Sequence, residues 1–197
     1  MDNLWNERFG NDDYVYGLAP NEFFKQELEA LAPAKLLLPG EGEGRNAVFA
    51  AKQGWLVVAF DGSSEGKKKA DKLALKNQVS VEYLVQTYDE ITLKPESFDC
   101  LAFIYTHMPA GTRAGYHQKL ASYLKPGGKL ILEGFSKAQI HNNTGGPKNV
   151  DMLFSKEELQ TDFTNFAELN IEEVETVLEE GPFHQGKATV IRLTATK

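Results

Sequence analysis

Between residues 35 and 133 short apolar runs alternate with stretches of helical period, and few architectures accommodate that alternation. Strands are expected over 35–38, 55–60, 81–85, 98–105 and 129–133, the last entered through the turn KPGG. Helices are expected from residue 45, over 63–76 and over 110–124. Strands that return in the same sense need helical crossovers, so the pattern argues for a doubly wound, mainly parallel α/β sheet covered on both faces. The end of the chain departs from it. Ser155 with Glu158 makes a capping box, and two strand-like runs, 167–178 and 188–196, are joined by EEGPFHQG. A link that short implies an antiparallel pair, giving seven strands with a C-terminal antiparallel hairpin.

The segment before residue 35 has no strand period. Residues 5–24, WNERFGNDDYVYGLAPNEFF, place aromatic rings among turn formers, and Asn21 caps a helix that runs to about Leu31. Residues 1–31 therefore read as a covering segment on a single domain, 1–197, since a chain of 197 residues requires only one core.

Ligands of parallel α/β sheets settle beyond the carboxyl ends of the strands, where strand order reverses. The loop after the first strand, PGEGEGR, carries Gly40, Gly42 and Gly44 into a helix N-terminus, and Asp61 closes the next strand. Glycines remove Cβ atoms where backbone must approach a ligand, and a carboxylate at that distance accepts from ribose hydroxyls. The combination describes a nucleoside-containing ligand. A phosphate-binding P-loop is excluded because GK[ST] is missing, and the dinucleotide fingerprint fails because Arg45 stands in the place of its third glycine.

Charge narrows the partners. Twenty-one basic against twenty-eight acidic residues give a net charge of −7, which repels phosphate backbones and anionic membranes. KKKADK, residues 67–72, spreads around the outer face of a helix as a solvated surface. No apolar run approaches the roughly 18 residues of a membrane span, and MDNLWNERFG lacks a basic segment followed by an apolar one. Cys100, the one cysteine, lies in the apolar run FDCLAFIY and reads as a buried hydrophobe. The expectation is a cytoplasmic protein, monomeric by default, with a small-molecule substrate and neither nucleic acid nor membrane as partner.

LLLPGEGEGRNAVFAA, VVAFDGSS, SFDCLAFIYTHMP and LKPGGKLILEGF resemble, in order and spacing, the successive motifs of class I S-adenosylmethionine-dependent methyltransferases, which have a Rossmann-like fold. WNERF and YVYGLAPNEF, with GEGRN, are similar to the small bacterial methyltransferases grouped with the tellurite-resistance and thiopurine enzymes. The resemblance covers nearly the whole chain. It implies S-adenosylmethionine as cofactor, with Gly40 and Gly42 along its methionine part, Asp61 on the ribose and Gly62 close to the adenine. The turn after the third strand would flank the adenine, where Thr87 stands in the place of the usual acid and Tyr88 follows. Relatives usually carry an acid two positions before the first motif glycine; here that residue is Leu38, and Glu41 or Glu43 is the expected substitute.

A sulfonium methyl is already activated, so the protein's main task is to align a nucleophile. Soft nucleophiles ionise readily and need little base, whereas oxygen or nitrogen acceptors need a positioned one. His107, after the fourth strand in IYTHMP, is the candidate catalytic side chain, with Tyr105 one pleat period earlier lining the cofactor. Glu133 ends the fifth strand and is expected to hold an acceptor or its own loop. Trp5, Arg8, Tyr14 and Tyr16 are expected to fold over the cofactor and exclude water from the sulfonium. His184 reads as a turn residue of the terminal hairpin. His117 and His141 lack partners at metal-ligand spacing, so no metal is expected. Two other readings share these motifs. One is a nicotinamide-dependent oxidoreductase, which the missing third glycine and the closing hairpin disfavour. The other is a catalytically inactive cofactor-binding protein of the same fold.

Overall fold

A computed structural model describes residues 2–197, with side chains from residue 4 onward. The strands are β1 (Lys35–Pro39), β2 (Leu56–Asp61), β3 (Glu82–Val85), β4 (Phe98–Ile104), β5 (Leu124–Phe135), β6 (Ala167–Glu179) and β7 (Gln185–Thr196). The helices are α1 (Asp2–Phe9), α2 (Glu22–Glu29), α3 (Arg45–Lys52), α4 (Ser64–Lys76), α5 (Ala110–Ala121) and α6 (Lys156–Asp162). All seven strands join one sheet in the order β3-β2-β1-β4-β5-β7-β6. The first five strands pair in parallel, and β7 lies antiparallel to both β5 and β6. The expected hairpin is thus present. Chain direction across the sheet reverses between β1 and β4, which puts the switch point at the end of β1.

Burial explains why β1 reads as an unbroken apolar run. Leu36, Leu37 and Leu38 are all buried because helices cover both faces. Leu37 packs with Phe60, Phe103 and Leu132 on one side, and Leu36 and Leu38 with Phe24, Leu28, Ala47 and Ala50 of α2 and α3 on the other. At about 25 cal/mol per Å² of apolar surface, each such leucine contributes roughly 1.5–3 kcal/mol. Leu38, in the place of the acid that relatives carry, is therefore a core residue.

The caps form as the residue types dictate. Asn21 accepts from Phe24 N at the start of α2, Ser63 from Gly66 N at α4, and the Ser155/Glu158 box is complete at α6. Several bounds differ from expectation, among them that α5 ends at Ala121 and β7 starts at Gln185. Helix α1 forms where no period was visible, β4 stops at Ile104 because Tyr105 takes φ +54°, and β5 begins at Leu124. The KPGG turn lies inside β5: Leu124 pairs with Phe98, the register shifts, and pairing resumes at Lys129 with Cys100. Gly127, at φ +79°, absorbs the irregularity.

Candidate functional site

The glycine loop and Asp61 meet at the switch point. Gly40 and Gly42 take φ of +60° and +61°, a region that side chains disfavour, so the loop folds tightly off β1. Asp61 faces it: one carboxylate oxygen accepts from Gly42 N at 3.1 Å and the other from Ser63 N at 2.8 Å. The acid thereby ties the first loop to the start of α4. Gly44 serves packing instead, since a Cβ there would meet Ala70 Cβ at 2.5 Å where α3 crosses α4. Gly62, half-buried, links Asp61 to the α4 cap Ser63.

The loop's own carboxylates turn away from the crevice. Glu41 accepts from Ala47 N at 2.7 Å and so caps α3, and burial pushes its carboxyl up to about 7 despite that bond and the nearby Arg45. Glu43 accepts from Val15 N at 2.9 Å and Tyr16 N at 3.4 Å, and pairs with Lys69 at 2.8 Å. These acids anchor a helix and the covering segment, a different task from replacing the acid absent at Leu38.

Tyr88 reaches further than a residue beside the adenine turn is expected to. A Cβ on Gly40 would stand 2.6 Å from the Tyr88 hydroxyl and 2.9 Å from the Thr106 methyl. The Tyr88 ring packs edge-on to Phe60 and against Tyr116, which holds it across the loop. Thr106 is buried, and its hydroxyl has no hydrogen-bond partner; the Tyr88 phenol approaches it outside bonding geometry. Thr87, by contrast, closes a local turn, donating both its N–H and its hydroxyl to Glu90 at 2.9 Å.

The N-terminal segment packs on the glycine loop and the start of α4, in part through Phe9 and Asn6, which the sequence did not single out. The Phe9 ring lies 3.1 Å from where a Gly42 Cβ would be, and Asn6 accepts from the Ser63 hydroxyl at 2.7 Å and Glu65 N at 3.2 Å. Trp5 stacks on Phe9, while Arg8 sits over the Trp5 and Phe183 rings and donates to the Tyr16 hydroxyl at 3.1 Å. Tyr14 donates to Lys69 O at 3.0 Å on the α4 side. Arg45 fastens the same segment through Tyr16 O and Ala19 O, and pairs with Glu180 at 2.8 Å. A cation in the first turn of a helix opposes the dipole, and that was the available signal that Arg45 has a tertiary role.

Beyond β4 and β5 a polar network closes under aromatic rings. Glu133 is buried and accepts from Asn21 at 2.6 Å, the Tyr105 hydroxyl at 2.9 Å and Arg192 at 2.6 Å. Glu180 accepts from Asn21 at 2.9 Å as well as from Arg45. Burial opposes ionisation of Glu180, but the His184 bond and Arg45 outweigh it and bring the carboxyl down to about 2. His184, read from sequence as a turn residue, packs its ring 4.5 Å from both Tyr16 and Tyr105 and is held neutral by burial. Tyr105 joins this wall with a left-handed backbone, a strain of about 1–3 kcal/mol that the surrounding contacts fix in place.

His107 has a different part from the catalytic one the sequence suggested. Its Nδ1 lies 2.8 Å from Met152 O, and its Nε2 accepts from Phe135 N at 3.0 Å. Those partners require the Nδ1–H tautomer and leave no lone pair for a substrate proton. The ring is stacked between Phe135 and Phe154, and burial lowers its pKa to about 4. It is a neutral brace between β4, β5 and the loop through Met152. Among the described residues no group of three or more histidine, cysteine or acidic side chains is placed to hold a metal, and no helix is long and apolar enough to cross a membrane.

A parallel sheet whose switch point joins a glycine loop, an acid on the next strand and a covering segment defines a Rossmann-like domain for a nucleoside cofactor. Residues 37–128 match the family model described as a methyltransferase domain, and the match covers 92 of the 197 residues. It is 33% identical over 141 residues to a ubiquinone biosynthesis O-methyltransferase of Xanthomonas euvesicatoria pv. vesicatoria, an alignment covering 68% of this chain. The chain spans 57% of that relative's length. A solved structure described as concerning the conversion of a disulfide bond into a thioacetal group during echinomycin biosynthesis superposes with a TM-score of 0.78 at 14% identity, covering 100% of this chain and 89% of that one. TehB from Haemophilus influenzae superposes with a TM-score of 0.69 at 14% identity, covering 100% of this chain and 66% of TehB. At those identities the two structures bear on the fold alone.

The residues present fit S-adenosylmethionine. Gly40 and Gly42 bring backbone to the crevice, Asp61 ties the loop down beside them, and Thr106, whose buried hydroxyl has no hydrogen-bond partner, sets its methyl beside Gly40.

Proposed function

We propose that the protein transfers a methyl group from S-adenosylmethionine to a small-molecule acceptor, a soft nucleophile such as a thiol or a tellurite-like oxyanion. In this reading it is a single cytoplasmic unit, 1–197, of the tellurite-resistance and thiopurine type, with residues 1–31 as its cover. The observation that carries it is the contact between Asp61 and Gly42 N at the switch point, 3.1 Å, which brings the ribose acid and the glycine loop to one place. When bound, the cofactor supplies a methyl on a sulfonium, already activated for displacement. The chain's part is to bind and orient. Gly40, Gly42, Asp61, Gly62, Thr87, Tyr88 and Tyr105 form the cofactor side, with Glu41 holding the loop to α3, while Trp5, Arg8 and Tyr16 exclude water.

The acceptor class follows from the missing base. His107 has both nitrogens engaged, and Glu133 already accepts from Asn21, Tyr105 and Arg192. An acceptor that must lose a proton in the transition state gains little from either, so one that ionises by itself is favoured. The test is formation of S-adenosylhomocysteine from S-adenosylmethionine with thiols, tellurite and halides, against phenols and amines. Turnover confined to the first group supports the reading. Turnover confined to phenols or amines would overturn the acceptor class, and cofactor binding with no turnover on any acceptor would favour the inactive form of the fold.

A further inference from the structure

The carboxylates near the glycine loop leave the cofactor's amino-acid end without an acid. Leu38 is in the core, Glu41 caps α3, and Glu43 holds Val15, Tyr16 and Lys69. The α-ammonium and α-carboxylate of the methionine part need polar partners once desolvated, since burying an unpaired charge is costly. Two hydroxyl-bearing side chains border the place where that end would pass. The Tyr88 hydroxyl lies 2.6 Å from where a Gly40 Cβ would be, and Thr106 sets its methyl 2.9 Å from the same point while its buried hydroxyl has no hydrogen-bond partner. Each is both donor and acceptor, so together they suit a zwitterion. A buried hydroxyl without a protein partner costs stability, a cost that a polar ligand group bonded to it would remove.

We propose that Thr106 and Tyr88 form a hydroxyl pair that holds the amino-acid end of the cofactor, replacing the carboxylate absent at Leu38. The proposal rests on S-adenosylmethionine as the ligand. It gives Tyr88 a place on the methionine side of the glycine loop, and it gives a binding role to Thr106, which the sequence did not single out within the stretch IYTHMP. The residues are cofactor-positioning groups and take no proton in the reaction.

The test compares two ligands on the full chain by calorimetry: S-adenosylhomocysteine, and methylthioadenosine, which keeps the nucleoside and lacks the amino-acid end. Thr106→Val and Tyr88→Phe should each weaken S-adenosylhomocysteine by about tenfold, the loss of one hydrogen bond to a charged group. Methylthioadenosine affinity should stay within about twofold of the parent, a factor that corresponds to well under one hydrogen bond. Thr106→Ser should restore most of the first affinity. Thr106→Val should also melt no lower without ligand, because it removes an unsatisfied hydroxyl, which guards against a folding artefact. Equal S-adenosylhomocysteine affinity in parent and variants would overturn the pair. Tighter binding by Tyr88→Phe would overturn it too, and would mark the phenol as an obstruction. Failure of the parent to bind either ligand would instead remove the cofactor reading itself.

Discussion

Glu41, in the glycine loop, and His107, beyond β4, are both buried and respond to pH in opposite senses. Glu41 has its carboxyl raised to about 7 in the fold, so the native state binds a proton more tightly than the unfolded chain does. Its contribution to stability is therefore full below the unfolded carboxyl range and is lost as pH rises toward 7, by about 3 kcal/mol in all. His107, lowered to about 4, contributes stability that is present above pH 6.5 and lost as pH falls toward 4, by a similar ~3 kcal/mol. The two slopes oppose each other between about pH 4.5 and 6.5. Glu41→Gln keeps an acceptor for Ala47 N and removes the first slope, so urea unfolding of this variant should gain stability relative to the parent as pH rises from 5 to 7. A parallel pair of curves would contradict the assignment.

His107→Ala strands Phe135 N and Met152 O and opens a hole between two rings, and should cost about 2–4 kcal/mol by urea unfolding. Turnover per folded molecule should keep its pH profile; loss of an inflection would return His107 to the chemistry. At this scale Asp61 was legible, because a strand end beside a glycine loop fixes where its carboxylate goes. His107 was not, because its carbonyl partner lies 45 residues further along the chain and no local pattern announces that contact.

Among the elements, the covering segment depends most on contacts from afar. Helix α1 has eight residues and an apolar ring, Phe9, that packs on Gly42. Isolated helices of that length are marginal in water, so α1 is held by its docking. Glu43 supplies the carboxylate for Val15 N and Tyr16 N and pairs with Lys69, while Arg45 binds Tyr16 O and Ala19 O. Glu43→Ala should raise amide hydrogen exchange across residues 4–17 by about tenfold or more, the loss of one to two charged hydrogen bonds, with exchange in β1 and β4 unchanged. Uniform acceleration through the sheet would mean that the segment unfolds only with the whole protein.

That this segment lies outside the sheet was readable from its aromatic residues and lack of strand period. Its helix was not, since DNLWNERF puts polar residues on every face and owes its order to tertiary contacts. The KPGG stretch misled in the other direction: its residues make a turn, and the turn sits within a strand because Leu124 still pairs with Phe98 before the register shifts.

At the scale of the molecule the parallel sheet and its closing antiparallel pair were legible in the alternation of runs, but the strand order was not, because crossover handedness leaves more than one doubly wound order open. Strand β6 ends the sheet with Glu172, Glu173, Glu175 and Glu179 exposed, a density of like charge that discourages a second sheet edge from pairing there. The crevice belongs to this scale as well, because α1, the loop after β1, the end of β2 and the wall from β4 to β7 meet only in the closed fold. Calorimetry with S-adenosylhomocysteine on the parent and on Asp61→Ala tests that convergence most directly. The account predicts saturable one-to-one binding by the parent and a loss of about tenfold or more in the variant, since a carboxylate serving both loop and ribose is removed. No binding by the parent at millimolar concentration, or equal affinity in both proteins, would contradict it.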